Sequence, residues 1–334
     1  MLHTLEDFCR WLYPEAGDAF ARHYYELVRL AKNRYRKSCY RAFSVPKRDG
    51  GARELFAPSQ SLAYVQRGVL ALLGEGEVSP HATAYEPGCG VRENAAPHLG
   101  RPVLVKLDLE NFFGSVRFQR VFEAIDAALR RSPLVGRHYL NGYDRTEPGG
   151  RAYNQVLSFY FARFCTLDGA LPQGAPTSPH LSNLVLLPFD RAVGSYCARR
   201  NIVYTRYSDD MAFSGEFSPE GLIRFVRRLA GEHGFALNEG KTVVLGPGSR
   251  KKLTGAVVNE KLQADRAYRR RIRQELHYLE LYGPEEHLER LEPGLELDGY
   301  LRGLMGRIAF VLQLNPDDRE FQAYREECAA LLRS

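Results

Sequence analysis

The chain is 334 residues long, 44% hydrophobic and 26% charged, the profile of a soluble globular protein with room for two or three lobes. No run of eighteen apolar residues occurs and the start, Met1 to Asp7, is neither basic nor apolar, so no membrane span or secretory leader is expected and the cytoplasm is the expected compartment. Six scattered cysteines without a Cys-x-x-Cys pair argue against a zinc ribbon or a disulfide framework, and a formal charge of +6 hints at an anionic partner.

From the N-terminus, Leu5, Phe8, Cys9 and Leu12, then Phe20, Tyr24, Leu27, Val28 and Ala31, recur at three- and four-residue steps. That period predicts two amphipathic helices, broken near Pro14 and Gly17, whose apolar stripes serve packing. Residues 40–58 follow as two strand-like runs around Asp49-Gly50-Gly51, a hairpin with a basic tip. Lys47, Arg48 and Arg53 are solvated turn charges if the hairpin stands alone. Opposite a nucleotide site the same cations hold a triphosphate, Arg53 by a forked contact and Lys47 as a point charge.

Val103 to Leu109 alternates, with Val103, Val105 and Leu107 on one face and Lys106 and Asp108 on the other. Asp108 is therefore expected at the end of a core strand, pointing away from its apolar face. Val116 to Leu129 reads as a helix, and 141–153, with its Gly, Pro and Asn content, as a loop. Leu171-Pro172-Gln173-Gly174-Ala175-Pro176-Thr177 cannot be regular structure, and Ser178 with Pro179 then forms a cap and first turn. The helix they open has Leu181, Leu184, Val185, Phe189, Ala192, Val193 and Tyr196 as its buried stripe and a kink expected at Pro188.

Residues 202–207 and 211–213 are β-prone runs separated by Ser208-Asp209-Asp210, a hairpin with two adjacent acids at its turn. A helix over 219–233, strands over 235–244 and 253–259, and helices over 266–282 and 300–313 complete the pattern. Between 250 and 273 stand nine basic residues, among them Arg250, Lys251, Lys252, Arg266, Arg269, Arg270 and Arg273, against Glu260 and Asp265 alone. By itself such a run is equally a solvated helix face or a phosphate-tracking surface.

Asp108, Asp209 and Asp210 carry the chemistry. Neighbouring carboxylates repel, and crowding them into a packed core is unfavourable unless a cation compensates. Oxygen-only ligation suits Mg2+, which keeps several waters and completes its shell from substrate phosphates. Two such ions can activate an attacking hydroxyl and steady a leaving pyrophosphate, the chemistry of polymerases and of some nucleases. An isolated Asp-Asp pair is ordinarily just a turn. Here a strand-end acid, a Pro-Gln-Gly loop and a capped helix precede it in order.

In that order, Asp108-Leu109-Glu110-Asn111-Phe112-Phe113, Leu171 to Pro179 with Leu181-Ser182-Asn183, Tyr207-Ser208-Asp209-Asp210 and Asn238-Glu239-Gly240-Lys241-Thr242 resemble the successive palm motifs of reverse transcriptases. The basic hairpin at 45–58 is similar to their fingers motif. Asn94-Ala95-Ala96-Pro97-His98 resembles the Asn-Ala-x-x-His element of bacterial retron reverse transcriptases, and Leu253-Thr254-Gly255 their Val-Thr-Gly element. Ser208, where Ala is usual, and Leu253, where Val is usual, depart from the pattern.

The resemblance implies an α+β right-hand polymerase fold, with an N-terminal helical region and fingers over 1–100, a palm over 101–259 that carries inserted fingers elements near 130–170, and a short helical thumb over 260–334. It implies that Asp108 and Asp209 bridge two Mg2+ ions, for which Mn2+ can substitute, with Asp210 as an outer ligand and the Leu109 carbonyl completing one shell. Phe113 matches the aromatic beneath the incoming sugar, Lys47 and Arg53 the triphosphate contacts, Gln173 and Gly174 the loop against the nascent base pair, and Lys241 the lysine that protonates pyrophosphate. Asn94 and His98 are expected to be either structural or RNA contacts, and nucleic acid is expected at Tyr207, Ser208 and the basic run.

Retron likeness further implies deoxynucleoside triphosphates as substrates and a cognate non-coding RNA as template, primed from one of its own 2′-hydroxyls to give a branched RNA–DNA. It also implies a role in phage defence beside a separately encoded effector protein. The rival readings are a reverse transcriptase of another bacterial group (diversity-generating, group II intron-like or abortive-infection) and a catalytically idle RNA-binding scaffold. A length of 334 residues leaves no room for the extension of an intron enzyme, and the intact acid set argues against the scaffold.

Overall fold

The structure, a computed structural model, describes all residues except 1, 47–49, 75–76, 133, 136–152, 293, 295 and 334. Lys47, Arg48 and all but the last residue of the expected 141–153 loop lie outside the described residues.

Three helices open the chain. α1 (Leu5–Leu12) begins with a capping box, in which the Asp7 N–H donates to Thr4 Oγ1 at 3.1 Å and the Thr4 N–H to Asp7 Oδ2 at 2.9 Å. α2 (Phe20–Leu30) follows the break at Pro14 and Gly17, as the periodicity predicts, and α3 (Asn33–Ser38) is a short addition. β1 (Tyr40–Pro46) and β2 (Ala52–Pro58) form the hairpin, with Val45 opposite Arg53. α4 (Gln60–Leu73) then crosses the interior, and α5 (Val91–Ala95) leads into β3 (Val103–Asp108).

After α6 (Phe112–Ser115), α7 (Phe118–Leu129) and α8 (Tyr153–Cys165) comes the long α9 (Ser178–Ala198), which runs through Pro188. Ser178 is already helical instead of capping. Its hydroxyl donates to the Pro172 carbonyl at 2.6 Å, which ties the helix to the loop before it. β4 (Val203–Tyr207) and β5 (Asp210–Gly215) make the acid-bearing hairpin, and α10 (Pro219–Glu232) follows.

The strand expected over 235–244 is reduced to β6 (Val243–Leu245), because the turn-forming Asn238-Glu239-Gly240 coils into a 3₁₀ turn at Glu239–Lys241. The strand expected over 253–259 is likewise divided. β7 (Lys252–Leu253) and β8 (Ala256–Val257) flank Thr254 and Gly255, at φ 46° and 91°, and β9 (Gln263–Ala264) pairs with β8. α11 (Arg266–Tyr282), capped by Asp265, spans the predicted residues, and α12 (Pro284–Leu291), α13 (Leu297–Leu314) and α14 (Arg319–Leu331) close the chain.

The central sheet is antiparallel in the order β4-β5-β3-β6. Val105, Leu107, Met211 and Phe213 lie on one face, in a core shared with α1, α2, α4, α7, α8 and α9 that reaches from Leu2 to Leu237. Leu2 is tied by its N–H to the Leu134 carbonyl at 2.8 Å, and the Phe8 ring meets Phe161 edge-on at 4.7 Å. Each such fully buried side chain contributes about 1.5–3 kcal/mol. Leu104 and Ala212 face the other way, into a second core built largely by α11, α13 and α14. The alternation read from Val103 to Leu109 is present, with apolar cover on both faces.

Candidate active site

Strand register brings the acids together. Asp108 and Asp210 are direct partners in the β3–β5 pair, so their side chains leave the same face of the sheet. The Asp209 carbonyl accepts the Leu109 N–H at 3.2 Å. Only Ser208 and Asp209 separate the paired Tyr207 and Asp210, and the φ of 61° at Ser208 gives the positive first position that a tight two-residue hairpin turn needs.

Asp108 is 3% exposed, and its carboxylate is held by the Lys241 ammonium, which reaches Oδ2 at 3.2 Å and Oδ1 more closely. Burial pushes the Asp209 carboxyl above the usual range, and the charge of Asp108 adds to the shift. Asp210 is raised too, by lost hydration first and then by Asp209 and Asp108. Since Asp210 keeps an open edge to solvent, Asp209 is the more enclosed of the two. Lys241 is pushed up chiefly by its hydrogen bond to Asp108.

The donor set fits a hard divalent cation. It is all oxygen, crowded with negative charge and already compensated by a lysine. Among the described residues no three His, Cys, Asp or Glu side chains form a finished ligand cage; a Mg2+ shell draws on substrate phosphates and waters as well.

Beneath the turn lies a buried ion pair that sequence reading missed. Arg206 and Asp190 are both fully enclosed. Arg206 Nε donates to Asp190 Oδ1 at 2.9 Å and Nη2 to Oδ2 at 2.6 Å, while Nη1 reaches the Ser208 carbonyl at 2.9 Å and Asn183 Oδ1 at 3.0 Å. The Tyr204 hydroxyl adds a bond to Asp190 at 2.7 Å. Removing one partner of such a pair costs about 3–5 kcal/mol. The signal was available: an arginine inside a β-prone run, and an aspartate inside the apolar stripe of α9, are each rarely buried alone.

Phe112 is 2% exposed and belongs to the core, whereas Phe113 is half-buried beside it with rings 5.3 Å apart. At Gly174, φ is 108° and an added Cβ would stand 3.1 Å from the Phe56 carbonyl oxygen. The Phe56 N–H donates to the Gln173 carbonyl at 2.7 Å. The close approach that requires glycine is therefore made to β2, whose exposed Arg53 is thereby coupled to the loop.

Several expected nucleic-acid contacts face inward. Asn94 is 1% and His98 0% exposed. Asn94 Oδ1 accepts from the Thr205 hydroxyl at 2.7 Å, and Asn94 Nδ2 donates to Thr254 Oγ1 at 3.1 Å. His98 binds Thr205 Oγ1 through Nε2 at 2.8 Å and Ser214 Oγ through Nδ1 at 2.7 Å. Because the Thr205 proton goes to Asn94, His98 Nε2 is the donor and Nδ1 the acceptor, a neutral ring. These residues join the 91–99 segment, the sheet and the Thr254 turn, and surface contact by them is corrected to internal bracing.

Lys251 is buried and Ser208 nearly so, the latter with its carbonyl held by Arg206. Arg269 pairs with Asp318 at 2.7 Å and Arg273 with Glu320 at 2.5 Å, fastening α14 onto α11. Arg250 and Lys252 share Asp265. Among the described residues Arg266 and Arg270 are exposed and form no ion pair, and Tyr207 is half-buried.

A sheet that lifts carboxylates to one rim, with a basic hairpin near it and a helical C-terminal lobe behind it, is the plan of a right-hand polymerase. The family described as reverse transcriptase (RNA-dependent DNA polymerase) matches residues 45–279. The chain is 36% identical to the retron Mx65 reverse transcriptase of Myxococcus xanthus over 319 residues, covering 92% of this chain and 67% of that protein. It is 30% identical to the retron Ec86 reverse transcriptase of Escherichia coli over 247 residues, covering 72% and 70%. Telomerase structures from Candida tropicalis, apo and truncated, and Candida albicans, with a telomeric RNA fragment, overlay with TM-scores of 0.48 at 11% and 9% identity. They span 69% and 87% of this chain, which in turn covers 55% and 63% of theirs. The chain belongs to the retron reverse transcriptases and is an RNA-directed DNA polymerase.

Proposed function

We propose that this polymerase copies a cognate structured non-coding RNA, starting from a 2′-hydroxyl of that RNA, and so makes a branched RNA–DNA in the cytoplasm as part of anti-phage defence with a separately encoded effector. The observation that carries the catalytic part is the placement of Asp108 opposite Asp210, with Asp209 bonded to Leu109 through the backbone. In this reading residues 1–100 are the N-terminal region and fingers, 101–259 the palm and 260–334 the thumb. Among the described residues no helix is long and apolar enough to cross a membrane.

Asp108 and Asp209, with Asp210 and the Leu109 carbonyl beside them, would hold two Mg2+ ions. When bound, the ions lower the pKa of the attacking hydroxyl and neutralise charge on the departing pyrophosphate. The chain's own groups do the rest. Arg53, and Lys47 beyond the described residues, hold the triphosphate. Gln173 and Gly174 set the hairpin against the nascent pair, and Phe113 leaves no space for a ribose 2′-hydroxyl. Lys241, protonated on Asp108, delivers a proton to pyrophosphate. Arg266 and Arg270, exposed and in no ion pair among the described residues, are offered for phosphate contact, and binding through them weakens steeply with salt.

The test has two parts. Primer extension on RNA with Mg2+ and deoxynucleoside triphosphates checks the chemistry. Nucleic acid extracted from the protein purified from its native host should contain DNA covalently joined to RNA, with a junction that RNase trims and DNase leaves. Extension without any such hybrid would reject the branched-primer reading and favour another reverse-transcriptase group.

A further inference from the structure

Tyr85 has no part in the reading above, yet its setting near the acids is tightly constrained. Its φ is 68°, a region bulky side chains rarely occupy and keep only where their surroundings over-determine it. The segment before it runs beside β4: Ala82 bridges Arg206, the Arg206 N–H donates to the His81 carbonyl at 2.7 Å, and the Thr83 N–H donates to the Arg206 carbonyl at 2.8 Å. Asn183 Nδ2 then grips both sides of the tyrosine, the Ala84 carbonyl at 2.9 Å and Glu86 Oε1 at 2.6 Å.

Clamped in this way, the chain turns and delivers the phenol to the catalytic turn. Tyr85 Oη donates to Ser208 Oγ at 3.1 Å, so two residues with left-handed backbones meet side chain to side chain next to Asp209. The residue nonetheless stays 47% exposed. Lost hydration, with Asp209 on one side, pushes the phenol up, while Arg53 of the hairpin opposes the shift. The ring therefore stands at the turn that carries Asp209, held there by Ser208.

We propose that Tyr85 is the platform for the terminal nucleotide of the primer strand, stacking on it so that its hydroxyl is presented to Asp209. The proposal rests on Asp108, Asp209 and Asp210 being the catalytic centre. A rigid, half-exposed ring is the group on which a base stacks whatever its identity, and the Ser208 bond fixes the ring by its edge. The primer is the occupant because the ring is tied to the turn that bears Asp209, to which the attacking hydroxyl must come. The groups assigned to the triphosphate and its sugar, Arg53 and Phe113, sit on other elements.

The experiment places 2-aminopurine at the primer terminus in one arm and at the templating position in the other, and compares wild type, Tyr85→Phe, Tyr85→Gly and Asp209→Asn. Glycine adopts a φ of 68° without strain, so Tyr85→Gly keeps the turn and removes only the ring. Wild type and Asp209→Asn should quench the primer-terminal probe alike, and Tyr85→Phe, which keeps the ring and loses only the Ser208 bond, should still quench it, though less. Tyr85→Gly should not, and its KM for template–primer should rise about tenfold or more with the KM for deoxynucleotide unchanged. Three results would overturn the platform: quenching retained in Tyr85→Gly, a response confined to the templating probe, or Tyr85→Phe behaving like Tyr85→Gly. An Asp209→Asn protein that still extends primers while the Tyr85 pattern holds supports the platform and removes only the catalytic reading.

Discussion

The Lys241 ammonium rests on the buried carboxylate of Asp108, one strand away from Asp210. A protein cation thus stands where negative charge is densest. Lys241→Met should destabilise the metal-free protein by about 1–3 kcal/mol, because a buried carboxylate is stranded, and added Mg2+ should recover more stability in the variant than in wild type. The Lys241 pKa is raised, so its contribution is present below the ordinary lysine range and lost only as pH climbs through the raised value. The difference in unfolding midpoint should therefore stay level through neutral pH and fade in strong alkali.

Asp209 and Asp210 carry a linkage of the same sign, in a lower pH window. Their raised pKa values mean that the fold favours their protonated forms, so that stability is greatest below the ordinary aspartate range and declines as pH rises through the raised values. Polymerisation needs the ionised forms. Its acid limb should lie at higher pH than an unperturbed aspartate would give, and move downward with excess Mg2+. Asp209→Asn should abolish synthesis while stabilising the metal-free protein by about 1 kcal/mol, as read by thermal melts; a melt at or below that of wild type would contradict the crowding.

Phe113 lies half-buried against Phe112 at the end of the Asp108 strand. Phe113→Ala should admit ribonucleotides, raising their relative kcat/KM by about 10–200-fold, the range for a pocket contact of this kind. Single-nucleotide incorporation with paired ribo- and deoxy-substrates measures it, and unchanged discrimination would remove Phe113 from the sugar site.

Gly174→Ala forces a Cβ to within 3.1 Å of the Phe56 carbonyl oxygen at a φ of 108°. The bond from Phe56 to Gln173 should loosen, at a cost of about 1–3 kcal/mol. Faster amide exchange over 52–58 and a higher KM for deoxynucleotide are expected together, since Arg53 rides on that strand.

His98 is pushed down to about 4 by burial. With a depressed folded value, its stabilising contribution is complete above the ordinary histidine range near 6.5 and is lost as pH falls toward 4, about 3 kcal/mol in all. Denaturant titrations at several pH values should show that slope in wild type and a flatter one in His98→Asn.

Part of the acids' placement was legible locally, since alternation sets the face on which Asp108 emerges and the hairpin turn sets Asp209 beside Asp210; the distant pairing of β3 with β5 that brings them together was expected only from the resemblance to reverse-transcriptase palm motifs. For Asn94 and His98 two roles stood open in the sequence, and the structural one is what the fold shows, because burial of a polar residue depends on partners such as Thr205, Ser214 and Thr254, which come from distant segments. Arg269 and Arg273 were counted as surface charge for the same reason, their acids lying on α14. Local composition shows that charges cluster, and only packing shows which of them are already neutralised.

The reach of the first core, from Leu2 to Leu237, bears on how the chain is made. On the ribosome, α1 and α2 emerge with their apolar stripes bare; α4 soon supplies part of their cover, through Tyr64 and Gly68 against Leu12 and Phe8, while the rest, including Phe161 on α8, is synthesised far later. The N-terminal segment must wait in an unsatisfied, adhesive state, so chaperone supply and the pace of translation ahead of α8 should govern how much active polymerase a cell obtains.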